Sequence, residues 1–489
     1  MDSVRQAIET FVATSLEPAL LEPGEPFIPL AKDRYAIELR GQRLTIQVWD
    51  DQRNLARRIL RIEQEKRGRL TLVVEKFARR EGLVELIDRA RPTTRELQRK
   101  SSRTIFRERL RLLLSREFAE WKIAELTSEA NLEHSLSPAF PRAFLRRGAS
   151  GWAAIGAGPE SGDVGAALAF GLIWLDYLRH RESRITIEGL AIVVPAGRAT
   201  AIALRLPFLN HSAARFAIFT YTEEDFAVRL DPADYGNVQT VLEPCMRPAL
   251  PNTRPADLRR VEEFPGFAAI EKHDGSLSLR VNGWEIARVT DPPSDARMRE
   301  IEELARGVSE LRSESSENRQ NPLYRTQPEA WLEAVVRSNL ATIDPSLLPR
   351  PIYTQAPTFA AGDRGVLDLL ACDRQGRLAI IEIKATADLQ LPLQALDYWL
   401  RVKWHLDRGE FTAKGYFPGI ELRPDPPRLL LVAPALEFHP TSEGILRYFS
   451  PSISVERIGV NAGWRKDLRV MFRAVGHEPP AKGTWDSGR

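Results

Sequence analysis

Three charged side chains interrupt two strongly apolar stretches in the last third of the chain. Asp368 lies within residues 366–371, and Glu382 and Lys384 lie within residues 378–385. Unpaired charges in buried strands are costly, so something must compensate them. A divalent cation bound by the two carboxylates would do so, and an all-oxygen site favours Mg²⁺ or Mn²⁺. Such a cation activates water and polarises a phosphodiester, while an ammonium offsets charge in the transition state, so the pattern indicates phosphodiester hydrolysis.

A β-hairpin must position these residues. The polar insert 373–377 is rich in turn formers, and the apolar stretches flank it on both sides. If the turn is centred on Gln375, Asp368 and Glu382 stand seven residues to either side and pair across the strands. Cross-strand neighbours on one face have Cβ atoms roughly 4.5 to 5.5 Å apart. Lys384 follows Glu382 by two residues and therefore faces the same side, whereas a slip of one residue would break the arrangement.

The alternative interpretation is an ordinary cross-strand ion pair between Asp368 and Lys384 on a half-exposed sheet. An Asp followed at some distance by Glu-x-Lys is common by chance. The apolar strands, the register of the hairpin and the helices on either side favour the catalytic interpretation.

Residues 326–402 resemble the PD-(D/E)xK nuclease superfamily, and within it the C-terminal catalytic domain of NucS-type (EndoMS) endonucleases. The residues that carry the resemblance are Leu332, Glu333, Asn339, Asp368, Glu382, Ile383, Lys384, Gln394 and Tyr398. It implies a restriction-endonuclease-like mixed sheet flanked by helices. It also implies that Asp368, Glu382 and Lys384 are catalytic, that Glu333 and Gln394 complete the site, and that Glu333 joins the two other carboxylates at the metal.

The resemblance covers roughly 80 residues. Residues 1–300 do not match the DNA-binding domain of that family, so its branched or mismatched DNA substrates are not carried over. Gln394 and Tyr398 are four residues apart and hence on one helical face, where we expect Tyr398 to contact nucleic acid. Residues 428–435, 443–449 and 453–460 predict a strand, a helix and a strand, which with the hairpin make a helix-flanked mixed sheet.

Two glutamates precede the hairpin on a predicted helix. Thr326 and Glu329 have the spacing of a capping box, so we expect Thr326 at the N-cap and Glu329 in a structural role. Glu333 lies one turn further along and has no such assignment. We therefore expect Glu333 to reach the metal or its waters.

The sequence as a whole predicts an α/β fold class that is α+β overall, and the chain divides into several regions. Residues 1–90 alternate as a small β-rich or α+β module, with strands at 35–40, 44–49 and 70–75. Residues 91–305 are an α/β middle region of unknown role with a helix at 164–181, strand-like runs at 185–195, 201–206 and 215–221, and a hairpin around Asn282-Gly283. Residues 306–325 are the predicted linker, 326–476 the nuclease-like domain and 477–489 a disordered tail.

A basic helix is predicted from a capping box at Thr93 and Glu96. Its apolar positions keep a helical spacing and comprise Phe106, Leu110, Leu113, Leu114, Phe118 and Trp121. Arginines recur every four residues as a stripe, at Arg95, Arg99, Arg103, Arg107 and Arg111. The stripe is either a solvated helix face or a surface that contacts phosphates. A nuclease domain downstream favours contact with DNA.

Composition narrows the class of protein. The net charge of +3 is small for 489 residues and does not by itself indicate a nucleic-acid binder. The two distant cysteines, Cys245 and Cys372, argue against a disulfide framework or a cysteine zinc site. The start lacks a secretory signal and the longest apolar run is too short to span a bilayer, so we expect a cytoplasmic protein without a membrane partner. The glycine-rich residues 152–162 lack the ending of a phosphate-binding loop and predict a turn, so no nucleotide cofactor is expected.

These observations together predict an endonuclease that hydrolyses DNA with Mg²⁺ or Mn²⁺. A non-catalytic nucleic-acid or protein-interaction module that keeps the nuclease fold is the alternative from another class. Action on RNA and a homodimeric state both stay open.

Overall fold

The computed structural model describes residues 1–476 apart from gaps at 23–26, 33, 50–53, 67, 76–80, 91–93, 160, 223–226, 233–240, 246–260, 262, 273–274, 292, 315, 317–318 and 361–362. The side chains of residues 54, 94–102, 227, 355–360 and 363–366 are not described either. The described residues form eleven helices and four sheets, so the fold is mixed α and β as predicted. The predicted cap at Thr93 and the predicted disordered tail, 477–489, lie outside the described residues.

The chain divides into two compact units. One comprises Met1–Thr104 with Asn318–Thr326, and the other comprises Ile105–Glu317 with Gln327–Arg489. The candidate site lies in the second unit. Among the described residues, none of the helices combines the length and apolar character needed to cross a bilayer.

The first unit is built on an antiparallel sheet, which agrees with the β-rich pattern of its sequence. Alternate residues of the strand Arg43–Trp49 are buried, because one face of the sheet covers the core while the other meets solvent. The elements are α1 (Asp2–Thr14), β1 (Pro18–Leu21), β2 (Ile28–Pro29), β3 (Tyr35–Arg40), β4 (Arg43–Trp49), β5 (Asn54–Lys66), β6 (Arg69–Glu75), β7 (Glu81–Asp88) and α6 (Pro322–Arg325). The strand order is β2-β1-β7-β6-β5-β4-β3.

The middle part of the chain forms a mixed sheet with the order β13-β12-β11-β10-β9-β8. Its elements are α2 (Thr94–Glu117), β8 (Lys122–Thr127), β9 (Arg142–Arg147), β10 (Ser150–Gly156), α3 (Ala166–Arg181), β11 (Thr186–Pro195), α4 (Thr200–Arg205), β12 (Arg215–Tyr221) and β13 (Ala227–Leu230). The three central strands β10, β11 and β12 are parallel, and the outer pairings are antiparallel. The predicted apolar face of α2 is buried at its four helical positions, Phe106, Leu110, Leu113 and Leu114.

Two predictions in the middle part are wrong. Residues 201–206 were expected to be strand-like, but α4 and a following 3-10 turn at Leu206–Phe208 occupy them. A short apolar run does not distinguish a buried helix from a strand, and the contact with other helices decided it. Residues 152–156, expected in a turn, belong instead to β10, in which Ala153, Ala154 and Ile155 are buried.

A small antiparallel sheet precedes the candidate site in the order β14-β15-β16. Its elements are β14 (Phe267–Glu271), β15 (Leu277–Val281), β16 (Trp284–Val289) and the covering helix α5 (Asp295–Leu311). The predicted hairpin at Asn282-Gly283 is confirmed, and both residues have the positive φ that such a tight turn requires. A Cβ on Gly283 would lie 2.0 Å from the carbonyl oxygen of Ala330, so only glycine allows this turn to approach the helix that follows.

The predicted linker is partly helical. Helix α5 continues through residue 311, and Arg312 after it is fully buried and donates to the carbonyl of Asn282 at 2.8 Å. Residues 322–325 form the short helix α6. The described part of 306–325 thus contains helix and turns, and the role of the segment as a linker stays a prediction.

The last part of the chain forms a mixed sheet with the order β17-β18-β19-β20-β21-β22. Its elements are α7 (Pro328–Ser338), α8 (Leu340–Ile343), β17 (Tyr353–Ala360), β18 (Asp363–Cys372), β19 (Leu378–Ile383), α9 (Leu391–Asp407), α10 (Glu410–Ala413), β20 (Arg428–Pro434), α11 (Ser442–Leu446), β21 (Ser454–Val460) and β22 (Val470–Val475). Strands β19, β20 and β21 are parallel, and the other pairings are antiparallel. The strand, helix and strand predicted after the hairpin are confirmed as β20, α11 and β21.

One apolar core joins this sheet to the sheet of the middle part. It contains residues of both sheets and of the helices α3, α4, α9 and α11. Trp174 of α3, Trp399 of α9 and Phe449 are among its large buried side chains. The candidate site therefore rests on a sheet whose inner face is held by a continuous core.

Candidate active site

The β18–β19 hairpin has the predicted register. Leu369 pairs with Ile381 and Leu370 with Ile380, so residues equally distant from Gln375 face each other. The described ladder ends at the first of these pairs, and Asp368 and Glu382 occupy the next positions along the two strands. Alternation along each strand puts both carboxylates on the same face as Leu370 and Ile380.

Asp368 closes the end of the ladder with its side chain. Its Oδ2 accepts a hydrogen bond of 2.8 Å from the backbone N–H of Ile383, at the point where the strands separate. Burial raises the pKa of Asp368 to about 7, the hydrogen bond from Ile383 opposes this shift, and the nearby charge of Glu333 adds to it. The carboxyl group is thus held in a fixed direction and is costly to ionise alone.

Glu382 is the more deeply buried member of the pair. It is 3% exposed, and its Oε2 has no hydrogen-bond partner among the described residues. Burial raises the pKa of Glu382 well above its usual value, and the neighbouring Asp368 raises it further. Two adjacent carboxyl groups, one half-buried and one buried with an oxygen that accepts no hydrogen bond from the described residues, are chemically suited to a hard divalent cation, which would let both ionise.

Lys384 lies beside this pair. Its Nζ is 3.8 Å from Oε1 of Glu382 and 3.7 Å from Oδ2 of Asp388, and its backbone N–H donates to the carbonyl of Val432 at 3.0 Å. Burial on its own lowers the pKa of Lys384, but the surrounding carboxylates, led by Glu382, outweigh burial and raise it. The ammonium stays charged next to the carboxylates. Asp388, which sequence reasoning did not identify, helps to position it.

Glu333 reaches the site from α7 but is held by arginines. Its Oε1 is 3.5 Å from the guanidinium of Arg337, and its Oε2 is 3.9 Å from that of Arg280. Burial raises the pKa of Glu333 and the charge of Arg337 opposes that shift. In the described part of the chain no group of three acidic or histidine side chains is placed to hold a metal ion. The structure therefore brings Glu333 near Asp368 without joining it to the pair.

The predicted capping box at Thr326 and Glu329 is wrong. Helix α7 begins at Pro328 after Gln327, which has a φ of 51° and makes no capping hydrogen bond with its side chain. Thr326 instead ends the short helix α6, where its backbone N–H donates to the carbonyl of Pro322. Proline favours the first helical position, so it moved the start of the helix by one residue relative to the pattern.

Glu329 is consequently available to the site. Its side chain is exposed, and its charge raises the pKa of both Asp368 and Glu382. It therefore lies at the solvent side of the carboxylate pair. The sequence contained this residue at the right helical spacing from Glu333, but the capping box gave it a different role.

We expect the two glutamates to differ in an experiment. Glu333→Gln should lower the Tm by several degrees, because it removes the acidic partner of the Arg337 guanidinium and one of the acidic partners of Arg280. Glu329→Gln should leave the Tm within about a degree, because surface substitutions change stability little, and should weaken apparent Mn²⁺ affinity. Thermal melts and Mn²⁺ titrations of both variants measure this. Equal melting temperatures for the two variants would contradict the arginine-held position of Glu333.

A buried basic cluster surrounds Glu333, and sequence reasoning missed it. It consists of Lys272, which follows β14, Arg280 of β15 and Arg337 of α7. Arg280 also contacts Ser278 and Glu285 at 3.0 and 3.6 Å, and Lys272 is 8% exposed. Burial lowers the pKa of Lys272 to about 8, and Arg280 lowers it further. The available signal was the alternation of polar residues along β15, where Ser276, Ser278 and Arg280 form a polar face that is nevertheless buried.

Helix α9 places Gln394 and Tyr398 one turn apart as predicted. Burial raises the pKa of Tyr398. The charges of Glu382 and Asp368 raise this pKa further, which places Tyr398 near the carboxylate pair. Gln394 is half-buried, and among the described side chains it makes no hydrogen bond to either carboxylate. The structure thus brings Tyr398 to the site and leaves the role of Gln394 a prediction.

The arginine stripe lies on α2, and three of its five side chains are described. Arg107 and Arg111 are at 3.4 and 3.0 Å from Glu108 of the same helix and are partly exposed, as is Arg103. The side chains of Arg95 and Arg99 lie outside the described part. Contact of the stripe with phosphates stays a prediction.

Comparison with known proteins gives no further assignment: neither a family model nor a curated protein matches this sequence. The interpretation of the site therefore depends on the positions of Asp368, Glu382 and Lys384 and on their chemistry.

Proposed function

We propose that the chain is a metal-dependent endonuclease of the PD-(D/E)xK type that hydrolyses phosphodiester bonds in DNA. The observation that carries this proposal is the pair formed by the half-buried Asp368 and the buried Glu382, with an oxygen on Glu382 that has no hydrogen-bond partner among the described residues and the ammonium of Lys384 beside it. An ordinary structural ion pair would satisfy its polar atoms, and this arrangement does not. A strongly perturbed group of titratable side chains is typical of a catalytic site.

The topology of the last sheet supports the same proposal. A helix, an antiparallel hairpin that bears the acids, and a helix crossing to parallel strands are the order that the resemblance to this superfamily implies. The site lies at the end of β19 towards its carboxyl terminus, where the hairpin strands separate. Substrates of mixed α/β sheets commonly bind at that end of the strands.

Asp368 and Glu382 would hold Mg²⁺ or Mn²⁺, with waters and substrate oxygens completing its coordination. Mg²⁺ is usually bound through one or two carboxylates in this way, so the third carboxylate of Glu333 is not required. When bound, the cation polarises the scissile phosphate and lowers the pKa of a coordinated water. Lys384 offsets the charge that develops on the phosphate, and Asp388 fixes the position of its ammonium. The hydrogen bond from Ile383 holds the carboxylate of Asp368 in one orientation.

The basic cluster beside Glu333 supplies positive charge for a nucleic-acid backbone. Lys272, Arg280 and Arg337 lie around the carboxylate of Glu333, and Arg280 also contacts Glu285. Positive charge next to a hydrolytic site attracts phosphates regardless of sequence. This charge supports a polyanionic substrate over a neutral one.

The proposal is tested by one cleavage panel with Mg²⁺ and with Mn²⁺. The substrates are single-stranded, duplex, mismatched and branched DNA, together with RNA of matched sequence. We expect cleavage of at least one DNA substrate that a chelator stops. Cleavage of RNA alone would reject the DNA assignment, and no metal-dependent cleavage of any substrate would reject the nuclease.

We expect the increase in Tm produced by Mn²⁺ to grow between about pH 6 and about pH 8. Burial raises the pKa of Asp368 to about 7 and that of Glu382 above its usual value, so protons must leave before a cation can bind. Because these pKa values are higher in the folded than in the unfolded state, the two protonated carboxyl groups stabilise the metal-free fold at acid pH. This stabilisation is lost as the pH rises from about 4 through about 7.

Melts with a chelator and with Mn²⁺ across this pH range measure the effect. Glu382→Gln is the matched control, since it retains the shape of the side chain and cannot ionise. A wild-type increase in Tm that is equal at acid and alkaline pH would contradict the site.

The arginine stripe gives a separate prediction. Changing Arg103, Arg107 and Arg111 to Gln should weaken DNA binding equally on every sequence and flatten its dependence on salt, because fewer counterions are released. Binding isotherms at several salt concentrations measure this. An unchanged salt slope would return the stripe to a solvated helix face.

A further inference from the structure

The two six-stranded sheets of the second unit, as far as they are described, have the same topology. In each, the first three strands are antiparallel neighbours, the third to fifth are parallel and the sixth is antiparallel at the far edge. The helices also fall at the same places in the chain order. Helices α3 and α9 connect the third strand to the fourth, and α4 and α11 connect the fourth to the fifth.

The contacts between the two halves are reciprocal. Leu209 and Phe449 form an isolated antiparallel bridge, the N–H of Asn210 donates to Tyr448 at 2.7 Å, and the N–H of Ser450 donates to Phe208 at 2.8 Å. All these residues follow α4 in one half and α11 in the other. Such self-complementary contact, in which each half offers the same surface, is typical of a twofold dimer interface.

Charged pairs repeat the same reciprocity. Arg205 at the end of α4 binds Asp397 of α9, and Arg447 just after α11 lies 3.9 Å from Asp176 of α3. In each half, an arginine at or just after the end of the helix between the fourth and fifth strands therefore contacts an aspartate of the other half. That aspartate lies on the helix between the third and fourth strands. The shared apolar core lies between the same four helices.

The middle half lacks the acids of the site. Its hairpin strands β9 and β10 contain no Asp or Glu in any position. Ile155 is the second-to-last residue of β10, as Glu382 is of β19, and the partner of Ile155 across the hairpin is Arg142. The next pair on the same face of this hairpin is Phe144 and Ala153. Aligning the two hairpins one pair further along therefore does not produce a carboxylate pair either.

We propose that residues 105–231 are a catalytically inert copy of the nuclease half, held in the place of a second subunit. The chain is then a covalent dimer with one active site, and it nicks one strand of duplex DNA per binding event. This inference rests on the proposed nuclease function. Each event adds one water: its oxygen bonds to phosphorus, one P–O ester bond breaks, and the leaving oxygen takes a proton.

Supercoiled plasmid with Mg²⁺ and enzyme in excess tests the inference. We expect open-circular DNA to form first, and linear DNA to follow only as nicks accumulate at random. Linear DNA as the first product, without an open-circular intermediate, would overturn the inference. Light scattering on the same sample is expected to give the mass of one chain, and a particle of twice that mass that linearises plasmid in one step would also overturn it.

Calorimetric titration with Mn²⁺ gives a readout independent of cleavage. We expect one carboxylate-dependent site per chain, which Glu382→Gln removes. A second such site that persists in Glu382→Gln would show that the middle half binds metal and would overturn its assignment as inert. A protein that binds one Mn²⁺ and cuts no substrate would reject the proposed function while leaving the single-site architecture supported.

Discussion

Glu382→Gln, Asp368→Asn and Lys384→Met are each expected to reduce metal-dependent cleavage by roughly 10³-fold or more. The reason is that each removes several kcal/mol of transition-state stabilisation, and about 1.4 kcal/mol corresponds to a factor of ten. The fold should survive, because the substitutions keep the size of the side chains. Glu382→Gln should even melt at the wild-type temperature or above it in the presence of a chelator, since it removes a buried group that is costly to ionise.

Single-turnover cleavage and thermal melts on the same preparations measure the loss of activity and the stability of each variant. Asp407→Asn is the matched control, because Asp407 is an exposed carboxylate of α9 that pairs with Lys403 away from the site. It should retain wild-type rates. If all three site variants cut as fast as the parent, the assignment of the site would be wrong. If they failed only because they were unfolded, the melts would reveal it.

Arg205→Met is expected to lower the free energy of unfolding of the second unit by about 3 to 5 kcal/mol. Arg205 is 7% exposed and binds Asp397 through two hydrogen bonds of 2.8 and 2.7 Å, and it also donates to the carbonyl of Gly165 at 3.1 Å. Removing the guanidinium leaves Asp397, whose side chain is 25% exposed, without its partner beside the core that joins the two sheets. A buried pair is strongly destabilising when only one member is lost.

Denaturant unfolding of three variants separates this effect from loss of packing. Arg205→Met combined with Asp397→Leu should recover much of the stability, because neither charge is then left alone. Arg447→Met is the control from the reciprocal pair, in which the charged atoms are 3.9 Å apart and the arginine is more exposed than Arg205, and it should cost roughly 1 kcal/mol or less. Equal losses for Arg205→Met and Arg447→Met would contradict the dominant role of the Arg205–Asp397 pair at the interface.

The register of the β18–β19 hairpin could be predicted from the sequence alone. The two apolar stretches are symmetric about the polar insert, and a period of two fixes which side chains share a face once the turn is placed. The positions of Asp368, Glu382 and Lys384 relative to one another therefore needed no tertiary information. Strand, helix and strand after the hairpin followed from the same local patterns, as did the apolar face of α2.

The local sequence pattern was insufficient where a segment fits two conformations or where two local rules compete. The run at 201–206 could be either helix or strand by its composition, and packing against α9 made it helix α4. Glu329 had the spacing of a capping box, but Pro328 set the helix start and left Glu329 facing the carboxylate pair. In both cases a competing local rule or a distant contact decided the outcome.

The sequence by itself determined which side chains meet at the candidate site, because Asp368, Glu382 and Lys384 lie within 17 positions, in one hairpin or directly after it. Tertiary structure alone decided what surrounds them. Arg280 meets Glu333, and Arg205 meets Asp397, across 53 and 192 positions of chain. Such contacts arise when whole elements pack, and no periodicity within an element encodes them. The repeated topology of the two sheets is likewise visible only in the tertiary structure, because the same strand order recurs although the hairpin residues of the two sheets differ.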